Sequence, residues 1–225
     1  MINKPTQSYL TDIYAKMLNR YGPQRWWIYD NPLNIIVGSI LTQGTAWSNV
    51  EKAVGNLIAK DAMSLHVLRD LPKKTLSQII YPSGYFNSKA RKLKAMANYI
   101  GYHFNDNLDS MRKEKTDILR KMLLDIHGVG DETADTILLY AFDKTTFIID
   151  NYTKRLFYRL GIVNENVSYI TLKSLLLNEM TSDSDLLKEY HALIIDHGQK
   201  VCGKSPKCEN CCLLDMCPTG EKLVN

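Results

Sequence analysis

The apolar positions of this chain fall mostly at three- and four-residue steps, the period of helices that bury one face. Leu10, Ile13, Tyr14, Met17, Leu18 and Tyr21 form one such stripe, which stops at Gly22-Pro23 ahead of Trp26-Trp27. Leu33, Ile36, Val37, Ile40 and Leu41 form a second, and Val50, Ala53, Val54, Leu57 and Ile58 a third. Gly44 breaks the L-T-Q-G-T-A-W segment between them. Short helices are predicted over 64–69 and 76–80, then a turn running into a basic helix over 82–96. Further helical patterns cover 153–160, 172–180 and 186–197. The apolar run 147–149 is too short to build a sheet, so the pattern predicts an all-α chain without repeats or low-complexity linkers.

The stretch from Ile126 to Asp150 organises the rest. An apolar helix through Leu119, Met122, Leu123 and Ile126 meets Gly128-Val129-Gly130. A second follows at once, with Ala134, Ile137, Leu138 and Ala141 on one face. That order predicts a helix–hairpin–helix. Glycine there permits positive φ and close approach of another backbone, and the amides opening the second helix suit a phosphate oxygen. The run Phe147–Ile149 then ends in a solitary carboxylate, Asp150. Asp150 can also serve simply as the N-cap of the next helix, a role compatible with catalysis.

Composition narrows the classes. The 225 residues suit one large domain or two small ones, and 45% hydrophobic with 23% charged residues describes a globular protein. A net charge of +4 permits a nucleic-acid partner without demanding one. No apolar run is long enough to span a bilayer, and the N-terminal residues show no apolar signal region. The expected location is therefore a reducing cytoplasm, where cysteines serve as ligands more often than as disulfides.

All five cysteines lie between positions 202 and 217, where the composition shifts sharply. Cys202, Cys208, Cys211 and Cys217 have the spacing C-x5-C-x2-C-x5-C, which points to a small metal centre. Zinc sites usually use two C-x2-C knuckles, and one is present here, so a 4Fe–4S cluster is the expectation and zinc the alternative. Cys212 is a spare thiol that could replace its neighbour.

The G-V-G hairpin, a lone aspartate twenty residues past Gly130 and the four-cysteine loop together resemble the endonuclease III branch of the helix–hairpin–helix DNA glycosylase superfamily. The likeness covers nearly the whole chain. It implies two helical domains flanking a DNA-sized cleft: a six-helix barrel over 30–144, and 1–29 combined with 145–225, which holds the cluster. Gln43 in L-T-Q resembles the residue that fills the gap left by a flipped base, and Tyr85 in S-G-Y-F-N-S-K the intercalating residue of a second wedge loop. His197-Gly198 before the first cysteine is similar too, while the first x5 spacing is one shorter than the commonest family form. The implied partner is double-stranded DNA with a damaged base, and the protein is expected to be a monomer acting on a bacterial or archaeal nucleoid.

Bifunctional members of that family carry a lysine two residues after the second glycine, where this chain has Glu132. A carboxylate cannot form a Schiff base, which leaves hydrolysis of the N-glycosidic bond. Asp150 would stabilise the developing oxocarbenium charge and help position water, once the nucleotide is flipped out of the stack. Trp26, Trp27 and Trp47, the only tryptophans, can stack on a cationic alkylated purine or serve as core packing. With Glu132 and Asp135 in the hairpin helix they resemble the endonuclease III-like 3-methyladenine glycosylases, in which aromatics at the matching positions sandwich the base. That subgroup is not known for cluster cysteines, so the chain mixes features. DNA grip is expected from Gly128, Val129 and Gly130 and from Lys204 and Lys207 in the cysteine loop. Lys89, Arg91, Lys92 and Lys94 form either a further grip or a solvated face. The alternatives are a glycosylase for mismatched thymine or uracil or for oxidised bases, a lyase using another lysine such as Lys154, and a non-catalytic DNA-binding iron–sulfur protein.

Overall fold

The structure is a computed structural model that describes residues 5–29, 31–180 and 182–224. Residues 1–4, on which the reading of the N-terminus partly rests, and residue 30, the expected start of the barrel, lie outside the described residues. Among the described residues every regular element is helical. In chain order these are α1 (Gln7–Tyr21), α2 (Pro32–Leu41), α3 (Trp47–Ala59), α4 (Leu65–Asp70), α5 (Lys73–Ile79), α6 (Phe86–Phe104), α7 (Leu108–Lys113), α8 (Thr116–Leu124), α9 (Asp131–Thr136), α10 (Asn151–Arg159), α11 (Tyr169–Glu179), α12 (Ser184–Lys200) and α13 (Pro218–Val224). Among them none is long and apolar enough to cross a membrane.

Local chemistry sets the helix ends. Thr6 accepts from the Tyr9 amide at 3.2 Å to start α1, which stops at Gly22 with φ +71. Asn31 accepts from the Asn34 amide at 2.9 Å, and Pro32 supplies the first residue of α2. Helices α7 and α13 escape the sequence pattern because each buries a single residue, Met111 and Gly220, and so shows no apolar stripe.

The chain forms two compact units, Trp27–Lys144 and Met1–Trp26 with Thr145–Asn225. Trp27 sorts with the central segment, ahead of the expected boundary at 29/30, because its ring packs on Tyr140 with centroids 5.4 Å apart. The centre of this unit is α6, which buries Ala90, Leu93, Met96, Ala97 and Ile100 and packs on α2, α4, α5 and α7. Each such leucine-sized side chain contributes roughly 1.5–3 kcal/mol by leaving water. The stripe Ala134, Ile137, Leu138 and Ala141 is buried to 1% exposure or less. It does not run as one regular helix, however: after α9 the residues Ile137–Ala141 widen into a π-helical turn packed against α2. Such turns are rare and concentrate at functional sites.

In the unit built from both chain ends, α12 packs on α1 and α10. Tyr190 is its buried keystone. Its hydroxyl donates to the Leu10 carbonyl at 2.9 Å, and its ring meets Tyr14 and Phe147 edge-on at 5.4 and 5.9 Å. The extended, buried run Phe147–Ile149 leads directly into Asp150, which opens α10.

Candidate active site

The hairpin joins α8 to α9. Gly128 has φ +86, and a Cβ there would collide with the stem of Lys92, so this glycine answers both conformation and close approach. Gly130 differs from the expectation: its φ of −102 and ψ of −177 are ordinary extended backbone, with open space beside it. Val129 is buried, so its side chain packs into the protein at the turn. Arg120 of α8 clamps α9, donating to Asp131 at 2.6 Å and to both oxygens of Asp135 at 3.1 and 3.0 Å. Burial works against the guanidinium charge, and the two carboxylates outweigh it. Glu132 lies exposed on the first turn of α9.

In the same unit one loop bonds to the hairpin and a second lies against that loop. Gln43 donates through Nε2 to the Gly128 carbonyl at 3.1 Å and to the Thr133 hydroxyl at 3.0 Å, and its Oε1 accepts from Lys92. Tyr85 is 75% exposed and left-handed, with φ +45 and ψ +28, and its ring lies beside Gly44. Lys89 is 1% exposed, and its ammonium donates to the carbonyls of Leu41 at 2.7 Å and Ser83 at 2.6 Å. Lys94 donates to the carbonyls of Arg69 and Leu71. The basic helix is therefore not simply a solvated face: Lys89, Lys92 and Lys94 bond to protein oxygens, and of its four cations only Arg91 is exposed. The tryptophans divide. Trp27 is 7% exposed and packs on Tyr140; Trp47 is 48% exposed, its Nε1 donating to Glu51 at 3.0 Å. Trp26 is 39% exposed and belongs to the other unit.

That other unit holds Asp150, which is buried and caps α10 by accepting from the Thr153 amide at 2.7 Å. Its second oxygen lies 3.7 Å from His191 Nε2 on α12. Burial raises the carboxyl pKa, but His191 and Thr153 together outweigh burial and hold it below the usual carboxylate range. Lys154, on the same first turn, bonds through its amide to the Asp150 carbonyl at 3.0 Å. His191 escaped sequence reasoning because 41 residues separate it from Asp150 and only the packing of α12 on α10 joins them.

The cysteine loop is shaped by two arginines of α10. Arg155 donates to the carbonyls of Cys202 at 2.7 Å and Gly198 at 3.2 Å. Arg159 donates to Cys202 Sγ at 3.2 Å and to the carbonyls of Gly203 and Lys204 at 2.8 and 3.3 Å. Burial pushes the Cys211 thiol up to about 11, with Cys212, Cys202 and Cys217 adding to it. Burial raises Cys217 as well, with Cys202 and Cys208 adding. The amides of Leu213 and Gly220 nevertheless donate to the sulfurs of Cys211 and Cys217 at 3.4 and 3.3 Å. An amide or guanidinium donor thus reaches the sulfurs of Cys202, Cys211 and Cys217, and a cationic centre would offset the burial that disfavours their thiolates, so the donor set fits a metal–sulfur group. Among the described residues no three His, Cys, Asp or Glu side chains close around the position of one ion. Lys204 and Lys207 stand exposed on this loop.

Residues 37–179 match the HhH-GPD superfamily of base excision DNA repair proteins. The chain belongs to that superfamily. A Methanocaldococcus jannaschii protein named as a DNA repair glycosylase is 41% identical over 206 residues, covering 91% of this chain and 94% of its own. A solved endonuclease III bound non-covalently to DNA has the same fold, with a TM-score of 0.83 at 22% identity over 98% of this chain and 99% of that one. A 3-methyladenine DNA glycosylase from H. pylori, solved with 1,N6-ethenoadenine bound, gives a TM-score of 0.71 at 24% identity over 86% of this chain and 97% of that one. This HhH-GPD protein is thus a DNA glycosylase of base excision repair in the endonuclease III-like branch, and DNA is its partner.

Proposed function

We propose that this protein is a monofunctional glycosylase that hydrolyses the N-glycosidic bond of a flipped alkylated purine such as 3-methyladenine, acting as a monomer on damaged duplex DNA in the cytoplasm. The observation that carries the reading is the Asp150 carboxylate, buried yet held ionised by His191 and Thr153. A fixed negative charge in a low-dielectric site stabilises a developing oxocarbenium ion and can orient the attacking water. The hairpin position that a Schiff base would require bears Glu132 instead of an amine. Gly128, Val129 and Gly130 offer backbone to a phosphate, Gln43 and Tyr85 enter the duplex, and the exposed rings of Trp47 and Trp26 suit stacking on a cationic base. The substrate class is supported by the ethenoadenine-bound H. pylori neighbour.

Cys202, Cys208, Cys211 and Cys217 would hold a 4Fe–4S cluster, whose charge would offset the crowded thiolates and brace the loop that carries Lys204 and Lys207. A brown protein with sulfur-to-iron absorbance, bleached by Cys208→Ser, is the expected preparation. A colourless protein that contains zinc would overturn the iron assignment.

Base release from duplex DNA containing 3-methyladenine tests the catalytic role. Asp150→Asn should lower the single-turnover rate by about a hundredfold or more; an unchanged rate sinks the assignment, and no release from any lesion by the wild type leaves a binding protein. The acid limb of wild-type activity should lie below the usual carboxylate range, because the Asp150 carboxyl is held low. His191→Gln removes a lowering influence and should move that limb upward. The carboxylate's contribution to stability has the same sign: it is present above the unfolded pKa of about 4 and is lost as pH falls through the lower folded value. Borohydride should trap no covalent adduct; a trapped one would assign lyase chemistry to an amine such as Lys154, which sits on the turn that Asp150 caps.

A further inference from the structure

Helix α6 carries its lysines to three places at once. Lys89 donates to Leu41, the last residue of α2, where the L-T-Q segment begins. The same ammonium donates to Ser83, the last residue of the 3-10 turn Tyr81–Ser83, where S-G-Y begins. One buried cation therefore joins the roots of both segments. The Lys89 amide also donates to the Tyr85 carbonyl at 3.0 Å in the first turn of α6, so Tyr85 and Ser83 both meet the same residue. One turn further along, Lys92 donates to Gln43 Oε1 while its aliphatic stem covers Gly128. Gln43 in turn is bonded to Gly128 and Thr133.

These contacts are not what burial alone would select. Desolvation, with Lys92 adding to it, pushes the Lys89 pKa down to about 8, so its charge is kept against the preference of its surroundings. A methionine would fill the same volume with no charge to desolvate. Tyr85 adds a second sign of constraint. A left-handed backbone at a non-glycine residue persists only where neighbours over-determine it, and such strain gathers at sites that must be preorganised.

We infer that Lys89, supported by Lys92, is a positioning residue that locks the Gln43 segment, the Tyr85 segment and the hairpin into one rigid DNA-inserting body. The inference rests on reading Gln43 and Tyr85 as the side chains that enter the duplex. Insertion into a base stack requires both segments to arrive together. Once the tie is gone, each loop moves by itself while the phosphate grip of the hairpin persists.

The test uses a duplex with a stable tetrahydrofuran abasic site opposite 2-aminopurine, so no base is excised and the outcome is independent of lesion identity. Insertion changes the 2-aminopurine fluorescence, and anisotropy of the same duplex reports binding. Lys89→Met should reduce the fluorescence change by about tenfold or more while binding stays within about threefold, since small misplacements cost much in geometry-limited steps. Lys92→Met should reduce it by about threefold, because Gln43 keeps its bonds to the hairpin. If circular dichroism shows that Lys89→Met does not fold, the Lys92 variant carries the test alone. A folded Lys89→Met with a wild-type fluorescence change overturns the inference. So does a parallel loss of insertion and binding, which marks a merely structural role. A wild type that binds without any fluorescence change overturns the reading of Gln43 and Tyr85 instead, and with it the role of Lys89.

Discussion

The lysines of α6 and those of the cysteine loop carry the same charge in similarly basic stretches, yet they face opposite ways. Lys89, Lys92 and Lys94 turn their ammonium groups onto protein oxygens, whereas Lys204 and Lys207 leave theirs in solvent. The difference lies in where carbonyls need donors. The last turn of a helix leaves carbonyls without intrahelical partners, and a nearby lysine can satisfy them. Lys89 does so at the end of α2, Lys94 at the end of α4, and Lys144 at the end of α7, where it donates to Arg112 and Glu114 at 2.7 Å each. In the cysteine loop Arg155 and Arg159 already occupy the carbonyls of Cys202, Gly203 and Lys204, so the lysines there have no such task. A run of positive charge becomes a DNA footprint only after its internal partners are known.

Lys94 offers the sharpest way to break that contrast. Lys94→Met strands the carbonyls of Arg69 and Leu71 in a half-buried site and should destabilise the fold by about 2 kcal/mol. Its DNA affinity, extrapolated to the folded fraction, should keep the wild-type dependence on salt. Urea unfolding and a salt titration of duplex binding measure the two effects. Unchanged stability with a shallower salt slope would make Lys94 a phosphate contact and erase the distinction.

The same contrast explains what the sequence made legible. Of the stripe Leu119, Met122, Leu123 and Ile126 all but the half-buried Met122 are buried, and Ala134, Ile137, Leu138 and Ala141 are buried throughout, because a three- and four-residue step records local packing. The hairpin glycine at 128, the cysteine spacing and the cap at Asp150 are equally local, and each was readable. The π-turn at Ile137–Ala141 was not, since its apolar residues suit an α-helix as well. Nor was the inward turn of Lys89 and Lys92, whose acceptors Leu41, Gln43 and Ser83 come from other segments. Arg120 against Asp131 and Asp135, and His191 beside Asp150, were hidden for the same reason: they pair side chains across helices. What the chain writes locally can be read locally; what ties elements together needs the fold.

Lys204 and Lys207 complete the comparison from the other side, with the smallest effect. Both are exposed on a loop whose backbone is fixed by Arg155 and Arg159, so removing either should leave unfolding unchanged. Each phosphate contact on duplex DNA contributes about one unit to the slope of log affinity against log salt. Lys204→Met and Lys207→Met should therefore each flatten that slope by about one and weaken binding evenly across sequences. The double variant should flatten it by about two if the contacts are independent. A slope that matches the wild type in both single variants would show that exposure on an ordered loop does not suffice. The grip would then rest on the backbone of the hairpin, where Gly130 stands open and Arg120 holds α9 in place.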